Sequence, residues 1–429
     1  MPFHYRVLAG FVIGTLLGLL IHAMHWDQGL LLAFIDNIAQ PIGQLFLRLL
    51  KMLILPLMFS ALVVGIGQLG DVASLGRMGG RTLGYTALTS SIAVLIGVGA
   101  ANLIQPGVGV DREQLDALMQ SYASGAAAIT TATPTTTSVP DTLLALVPDN
   151  VVKAAAAGDY IGVLIFGLFV GIGLVLAPAE RTRGFRDAID GLFEITITLV
   201  NLVIRMAPYA VACIMLALAA KFGWDLLEKL AKYAFTVVGA LALHLFVVMP
   251  AFVRIFGGMS PRRFFKDSQE ALLMAFSTAS SAATLPTALR VAEENLKLPP
   301  QVSRFVLTVG ATANQHGTAL FEGVTVLFLA QFFGIELSLG QQFLVIGMSI
   351  LGGIGTAGVP AGSLPVIVMI CGMVGVPPEG IAIILGIDRL LDMCRTTLNV
   401  GGDLALAVVV AKAGERDLAR AASLQTTPP

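Results

Sequence analysis

The residues best suited to chemistry lie in one apolar segment, Ile387 to Ala411, which is long enough to cross a lipid bilayer. It carries six charged or amide side chains: Asp388, Arg389, Asp392, Arg395, Asn399 and Asp403. A charge at the bilayer centre costs about 2.5–3.5 kcal/mol, so such residues persist where they face a polar cavity. At about 100° per residue of helix, five residues fall within about 60° of Asp392: Asp388, Arg395, Thr396, Asn399 and Asp403. The pattern predicts a membrane helix with one polar stripe of both charge signs, which suits a small zwitterionic or anionic solute.

The composition is typical of a polytopic α-helical membrane protein. Of 429 residues, 56% are hydrophobic and only 12% are charged, whereas soluble proteins carry about 25% charged residues. Six spans are predicted in the first part of the chain: 7–24, 41–69, 82–104, 143–177, 190–220 and 232–257. The first lacks a small-residue cleavage site and is interpreted as a membrane helix. No basic tract favours nucleic-acid binding, and the three cysteines, Cys213, Cys371 and Cys394, lack metal-ligand spacing.

Two segments rich in small residues break the apolar pattern in the second part of the chain. Residues 277–288 are STASSAATLPTA, and residues 352–365 are GGIGTAGVPAGSLP. Non-helical backbone at membrane depth is tolerated only where protein buries it or where it lines a cavity. Both segments are therefore predicted to be re-entrant hairpins whose tips meet within the membrane. Each precedes a predicted long helix, 302–333 or 378–413, which suggests an inverted repeat around a transporter's binding site.

Basic residues favour a cytoplasmic N-terminus by the positive-inside rule. Arg6 precedes the first span, and the loops after the second, fourth and sixth spans carry Arg77, Arg81, Arg181, Arg183, Arg186, Arg254, Arg262, Arg263 and Lys266. One opposing loop carries Lys221, Lys229 and Lys232, which weakens the contrast without reversing it. The loop from Pro106 to about Pro140 is predicted to be an external linker without chemistry.

Five motifs, in order and spacing, resemble those of the glutamate/aspartate transporter family, the dicarboxylate/amino acid:cation symporters. They are FLRLLKMLILPLMF (46–59), ASSAATLP (279–286), GATANQHGTAL (310–320), GIGTAGVPAGS (353–363) and LDMCRTTLNVGGD (391–403). The resemblance runs from about Tyr5 to Lys412. It implies an all-α polytopic membrane protein with eight transmembrane helices and two re-entrant helical hairpins. The implied activity is secondary active transport by an elevator movement, and no enzymatic reaction is expected.

The resemblance also implies a homotrimer in the cytoplasmic membrane with both termini in the cytoplasm. The implied divisions are scaffold helices 1 and 2 in 1–75, helix 3 of the transport domain in 76–105, the external loop with scaffold helices 4 and 5 in 106–220, the remaining transport domain in 221–413, and a disordered tail in 414–429.

By the same resemblance, nine residues would bind the substrate: Asp392, Arg395, Thr396, Asn399, Thr318, Ser280, Ser281, Gly358 and Val359. Asp392 would hold an α-amino group, and the planar fork of Arg395 would pair with a side-chain carboxylate. Backbone amides at the hairpin tips would hold carboxylates, because exposed amides at half-helix ends favour anions. Carriers of C4-dicarboxylates usually lack a carboxylate at position 392, and carriers of neutral amino acids usually lack an arginine at 395. L-aspartate and/or L-glutamate therefore fits, and a C4-dicarboxylate is the alternative.

The motif at 314–318 departs from the family pattern, which is Asn-Met-Asp-Gly-Thr or a close variant. The altered ion site would comprise Thr89, Ser90, Asn314, Gln315 and His316. Because hard cations prefer oxygen ligands and a neutral imidazole supplies no negative charge, this sodium site is expected to be weakened or lost. A second sodium site would use Asp403 with the backbone oxygens of Gly310, Asn314 and Asn399, and a third would use the backbone oxygens of Thr312, Gly353, Ile354 and Thr356.

Protons offer another coupling route. Histidine titrates near neutral pH, so His316 is one candidate. Glu322 is a second, because it lies where the animal excitatory amino-acid transporters have a proton-carrying glutamate. The hypothesis is that one or both make transport proton-coupled, with reduced or absent sodium dependence; the alternative is that His316 is structural and transport is uncoupled.

Two rival classes find little support in the sequence. No Ser–His–Asp, H-E-x-x-H or Cys/His arrangement favours an intramembrane enzyme. No repeated rings of charge favour a dedicated anion channel. For Asp392 and Arg395, the simpler interpretation is a salt bridge within one helix that only neutralises itself.

Overall fold

The computed structural model describes residues 3–24, 30–74, 77–110, 147–157, 160–355 and 363–425, which are helical throughout apart from short connections and contain no strand. Its α-helices are α1 Phe3–Ala23, α2 Leu30–Phe34, α3 Gln40–Ser74, α4 Arg77–Ile104, α5 Val151–Ala157, α6 Tyr160–Leu176, α7 Ala179–Ile204, α8 Ala207–Phe222, α9 Trp224–Leu243, α10 Met249–Ile255, α11 Pro261–Thr278, α12 Ser281–Arg290, α13 Pro300–Ala313, α14 His316–Phe332, α15 Leu339–Gly355, α16 Leu364–Met373 and α17 Ile381–Gln425. π-Helical turns lie at Ile35–Ala39, His244–Val248 and Val291–Asn295, and a 3₁₀ turn lies at Pro378–Gly380.

Within these residues, three segments are long and apolar enough to cross a membrane: Met78–Ile104, Trp224–Ile255 and Pro378–Asp417. Shorter apolar helices accompany them, including Ala207–Phe222 and Leu364–Met373. The arrangement of eight transmembrane helices stays a prediction.

The close packing of α1 against α8 depends on small residues. Gly10, Gly14 and Gly18 recur every four residues on one side of α1 and face the α8 backbone at Pro208, Ala212 and Leu216. A Cβ atom at any of the three would collide with that backbone. Small residues at this spacing let membrane helices approach closely.

Helix α17 is the most enclosed of the three long apolar segments. In its apolar window 78% of the residues are buried, compared with 39% for Met78–Ile104. It packs against α9, α11, α13 and α14, while α14 also packs along α4. The polar stripe of α17 is therefore enclosed by the helices that carry the other predicted site residues.

The hairpin predicted around 277–288 is formed by α11 and α12. Ala279 adopts the left-handed conformation with φ of 48°, which ends α11 and reverses the chain. The Ser280 side chain then caps α12 by accepting a hydrogen bond from the backbone N–H of Ala283 at 3.2 Å. In the second predicted hairpin, α15 and α16 flank residues 356–362, which lie outside the described residues.

Three predicted boundaries differ from the structure. The predicted helix 302–333 is two helices, because the backbone leaves helical geometry at Asn314 and Gln315. The predicted span 190–220 is interrupted by a turn at Arg205 and Met206, directly before Pro208, which suits the first turn of a new helix. The tail predicted to be disordered from residue 414 continues α17 as far as Gln425.

Candidate functional site

The centre of the α17 stripe is a buried guanidinium held between two carboxylates. Arg395 is 1% exposed and contacts Asp392 Oδ1 through Nε at 2.9 Å and Nη2 at 2.8 Å. Its Nη1 lies 3.4 Å from Oδ1 of Asp388. The guanidinium also covers the ring of Phe321, 4.1 Å from the centroid. The ion pair within one helix that the sequence suggested is therefore present, but it is buried and also involves a third charge and an aromatic face.

The amide of Asn399 joins α17 to the first turn of α14. Asn399 donates to Gln315 Oε1 at 2.5 Å and to Thr318 Oγ1 at 3.1 Å, and it accepts from the backbone N–H of Gly317 at 2.7 Å. A Cβ atom on Gly317 would lie 2.7 Å from the carbonyl oxygen of Arg395, so the close approach requires glycine here. These bonds satisfy groups at the break in the predicted helix, and they bring Thr318 to the stripe.

Thr396 completes the described part of the predicted substrate set on α17 and is 5% exposed. On the first hairpin, Ser281 is buried, whereas the backbone N–H of Ser280 donates to Thr278 Oγ1 at 3.3 Å. The Ser280 amide, which the resemblance assigned to a carboxylate, therefore already has an acceptor in this structure. Gly358 and Val359 lie outside the described residues.

The residues of the second predicted sodium site gather around Asp403. Asn314 donates to Asp403 Oδ1 at 2.9 Å, and its own Oδ1 is buried without a hydrogen-bond partner among the described residues. Gly310 lies against the same carboxylate, because a Cβ atom there would approach Asp403 Oδ1 to 2.5 Å. The Asp403 carboxylate and the buried Oδ1 of Asn314 are oxygen ligands of the kind that a hard cation prefers.

The third predicted sodium site is described in part. Thr312 donates its hydroxyl to the carbonyl of Val309 at 3.0 Å, and Gly353 packs against the carbonyl oxygen of Gln315. Ile354 is the last residue but one of α15, which ends at Gly355, and Thr356 lies outside the described residues. Gly353 therefore reaches the break between α13 and α14 from the second hairpin.

At the altered ion site the imidazole of His316 faces a second histidine. The ring centroids of His244 and His316 are 5.1 Å apart, and both side chains are fully buried. None of their four ring nitrogens has a hydrogen-bond partner in the described part of the chain. Gly402 faces the His316 ring from α17, and a Cβ atom there would overlap it. The sequence assigned His244 no role, because nothing in its local pattern links it to residue 316.

Thr89 and Gln315, which were also predicted for that site, have hydrogen-bond partners of their own. Thr89 Oγ1 donates to the carbonyls of Tyr85 and Thr86 within its helix, at 3.0 and 3.1 Å. Ser90 is buried on the same helix. Gln315 donates to the carbonyl of Ala311 at 2.8 Å while its Oε1 accepts from Asn399.

Glu322 lies two turns into α14 and is fully buried. Neither of its carboxyl oxygens has a hydrogen-bond partner among the described residues. It faces the second hairpin, since a Cβ atom on Gly352 would lie 2.9 Å from Glu322 Oε2. A charged carboxylate without a donor is costly to bury, so this environment suits the protonated form.

One charged residue at the site was named in the sequence but given no role. Arg389 places Nη1 3.4 Å from Asp392 Oδ2 and Nη2 3.4 Å from the carbonyl oxygen of Thr278 at the hairpin tip. The helical position of Arg389, about 60° from Asp392, is the signal that could have placed it in the stripe.

Buried charges of both signs lie on α17, which packs against a hairpin and a broken helix. This arrangement is typical of a membrane carrier. A sequence model described as the sodium:dicarboxylate symporter family matches residues 3–413, and the chain belongs to this family. Members of the family are symporters and not enzymes.

Three relatives illustrate its range of substrates. The chain is 33% identical over 401 residues to the proton/sodium-glutamate symport protein of Geobacillus stearothermophilus, covering 93% of this chain and 92% of the relative. It is 34% identical over 413 residues to the proton/glutamate-aspartate symporter of Escherichia coli K12, covering 95% and 92%. It is 31% identical over 424 residues to the C4-dicarboxylate transport protein of Cupriavidus pinatubonensis, covering 98% and 94%.

Proposed function

We propose that this chain imports L-aspartate and/or L-glutamate across the bacterial inner membrane as a secondary active symporter. The observation that carries the proposal is the buried contact between Asp392 and Arg395, beside Asn399 and Thr318. A carboxylate for an ammonium and a guanidinium for a second carboxylate are the two charges that an acidic amino acid requires. Relatives named for glutamate and aspartate agree with this assignment.

The alternative substrate is a C4-dicarboxylate, which one relative is named for. A substrate without an ammonium would leave the Asp392 carboxylate without a cation from the ligand, because no group of the substrate matches it. Competition against bound L-aspartate separates the two: L-glutamate is expected to compete and succinate to compete weakly. Succinate that competes as well as L-glutamate would favour the dicarboxylate carrier.

Transport is proposed to be coupled weakly or not at all to sodium at the altered site. It is proposed to be coupled to a proton that Glu322 carries. The Asp403 group keeps the oxygens of a sodium site, whereas two imidazoles occupy the altered region. His316 remains the second candidate.

The proposed architecture is a homotrimer in which residues 76–105 and 221–413 move as a transport domain against a scaffold. The packing of α4 and α9 with α14 and α17, and of α1 with α8, agrees with such a division. Elevator movement by this domain would carry the stripe, with its substrate, across the membrane.

The deciding experiment is uptake of labelled L-aspartate into liposomes that contain the purified protein. Inward gradients of protons and of sodium are imposed separately and together. Accumulation driven by the proton gradient alone is expected, with a smaller response to sodium. Full dependence on sodium without any response to the proton gradient would refute the proposed coupling, and absence of L-aspartate and L-glutamate uptake would refute the substrate.

A further inference from the structure

Asp392 has a guanidinium on each side of it along α17. Arg389 precedes it by three residues and Arg395 follows it by three, at about 60° to either side on the helix. Arg389 contacts Asp392 Oδ2, and Arg395 contacts Oδ1. The three side chains thus form a row of charges, positive, negative, positive, with about one helical turn between neighbours.

The two arginines differ in the lengths of their contacts, and each has one buried nitrogen without a hydrogen-bond partner among the described residues, Nε of Arg389 and Nη1 of Arg395. Arg395 has Asp392 at 2.8 Å, Asp388 behind it and the ring of Phe321 across its face. Arg389 has two contacts of 3.4 Å, both longer than the usual 2.7–3.2 Å of an N–H···O hydrogen bond. Its Nε is buried and has no partner among the described residues. A guanidinium with unused donors beside a binding carboxylate indicates that an acceptor from a ligand is expected there.

The row of three matches the charges of an acidic amino acid, while Asp388, whose Oδ1 lies 3.4 Å from Arg395 Nη1, is a further carboxylate outside the row. Such a substrate carries one ammonium and two carboxylates, so its complement is one carboxylate and two cations. Arg395 is assigned to the side-chain carboxylate, so the α-carboxylate still requires a cation. Arg389 lies nearer the tip of the first hairpin, where it reaches the carbonyl of Thr278, while the backbone N–H of Ser280 donates to Thr278 Oγ1.

We propose that Arg389 binds the α-carboxylate of the substrate, as a second arginine that determines specificity. The assignment rests on the proposed function, since it presumes an acidic amino acid held by Asp392 and Arg395. On binding, the α-carboxylate takes the donors of Arg389 that the long contacts to Asp392 and Thr278 use poorly, and the ammonium takes the place of Arg389 at Asp392 Oδ2.

The test measures equilibrium binding of three isosteric ligands to the purified full chain and to Arg389→Gln. The ligands are L-aspartate, L-asparagine, in which the side-chain carboxylate is an amide, and L-isoasparagine, in which the α-carboxylate is an amide. All three keep the ammonium. Arg389→Gln is expected to weaken L-aspartate and L-asparagine by about 10- to 100-fold and to leave L-isoasparagine nearly unchanged, because a charge-assisted contact is lost only where a carboxylate was present. Arg395→Gln should show the reverse pattern.

Two results would overturn the assignment. One is unchanged L-aspartate affinity in Arg389→Gln. The other is equal weakening of both monoamides, which would show that Arg389 acts on the ammonium through Asp392. A second measurement compares L-aspartate affinity in the Asp392→Asn variant with that in the double variant Asp392→Asn plus Arg389→Gln. A direct contact between Arg389 and the substrate predicts a further loss of affinity in the double variant, and no further loss contradicts the assignment.

The controls separate these outcomes from misfolding and from failure of the proposed function. Arg304→Gln replaces a surface arginine whose side chain is 71% exposed and is expected to bind like the wild type. Thermal unfolding of each variant reports whether it folds. A wild type that binds neither L-aspartate nor L-glutamate would overturn the proposed function itself, whereas wild-type binding with an unaltered Arg389→Gln affinity overturns only the role of Arg389.

Discussion

Two sets of buried polar side chains differ in how their charges are satisfied. In the first, Arg389, Asp392, Arg395 and Asp388 contact one another as opposite charges. In the second, His244, His316 and Glu322 are buried without hydrogen-bond partners in the described part of the chain. A buried ion pair suffers when one partner is removed, whereas unpartnered buried groups are costly in their charged forms. The comparison suggests that the first group recognises charge and that the second responds to protons or ions.

The largest effect is expected from removing the anion of the paired group. Asp392→Asn should lower L-aspartate affinity by about 100-fold or more, because both the ammonium and Arg395 lose their carboxylate. It should also lower the unfolding temperature, since Arg395 would be left with only the longer contact to Asp388. Calorimetric titration and thermal unfolding measure the two changes. Asp417→Asn, at an aspartate on the same helix that is 33% exposed and paired with Arg81, is the matched control; equal losses of affinity in both variants would count against a role in binding.

Placing a carboxylate at residue 316 should change how L-aspartate binding depends on sodium. His316→Asp is expected to make sodium raise L-aspartate affinity by about tenfold, within the usual range of coupling between sites. The reason is that an anionic oxygen would replace an imidazole beside Asn314 and Gln315. Binding isotherms with and without sodium measure the effect. His316→Asn supplies an oxygen without charge and should show a smaller response, and a sodium response in exposed His22→Asp would show that the effect is unspecific.

Neutralising Glu322 should separate proton coupling from substrate binding. Glu322→Gln is nearly isosteric with the protonated acid, so L-aspartate should still bind and exchange across the membrane. Net uptake should no longer rise with an inward proton gradient, because the side chain cannot release a proton. Uptake and exchange in liposomes measure the two activities. Retained proton-driven accumulation in this variant would assign the proton to another group, with His316 as the next to test.

The smallest effect concerns packing around the histidine pair. Gly402→Ala would place a methyl group on the His316 ring and is expected to destabilise the protein by about 1–3 kcal/mol, the usual cost of overpacking. Gly84→Ala is the matched control, because a Cβ atom there meets no atom within 4 Å. Thermal unfolding of both variants measures the difference. Equal stability would mean that the two rings can move apart freely.

Much of the site was predictable from local pattern, because membrane-buried charge at helical spacing is rare. The stripe from Asp388 to Asp403 and a hairpin within 277–288 both follow from residue type and position. The break at Asn314 and Gln315 does not, because the side chains that satisfy it come from Asn399 and Asp403, more than 80 residues away. Apolar periodicity continues across that break and so predicts one helix.

The pairing of His244 with His316 was not predictable for a related reason. A single histidine in an apolar span carries no signal about its partner in space, and these two meet only when α14 packs beside the π-helical turn that follows α9. The hairpin tip at 356–362 and the end of the chain beyond Gln425 lie outside the described residues, so their predictions stand unchanged.

The single amide of Asn399 has a consequence for how such a protein can evolve. Its oxygen accepts a hydrogen bond from the start of α14 and its nitrogen donates to two neighbouring side chains, so the proposed substrate site and the proposed cation site share this one residue. A mutation that changes one of these two proposed sites is therefore expected to change the other. New cargo and new driving ions are therefore expected to arise together in this lineage, through paired changes on both sides of that residue.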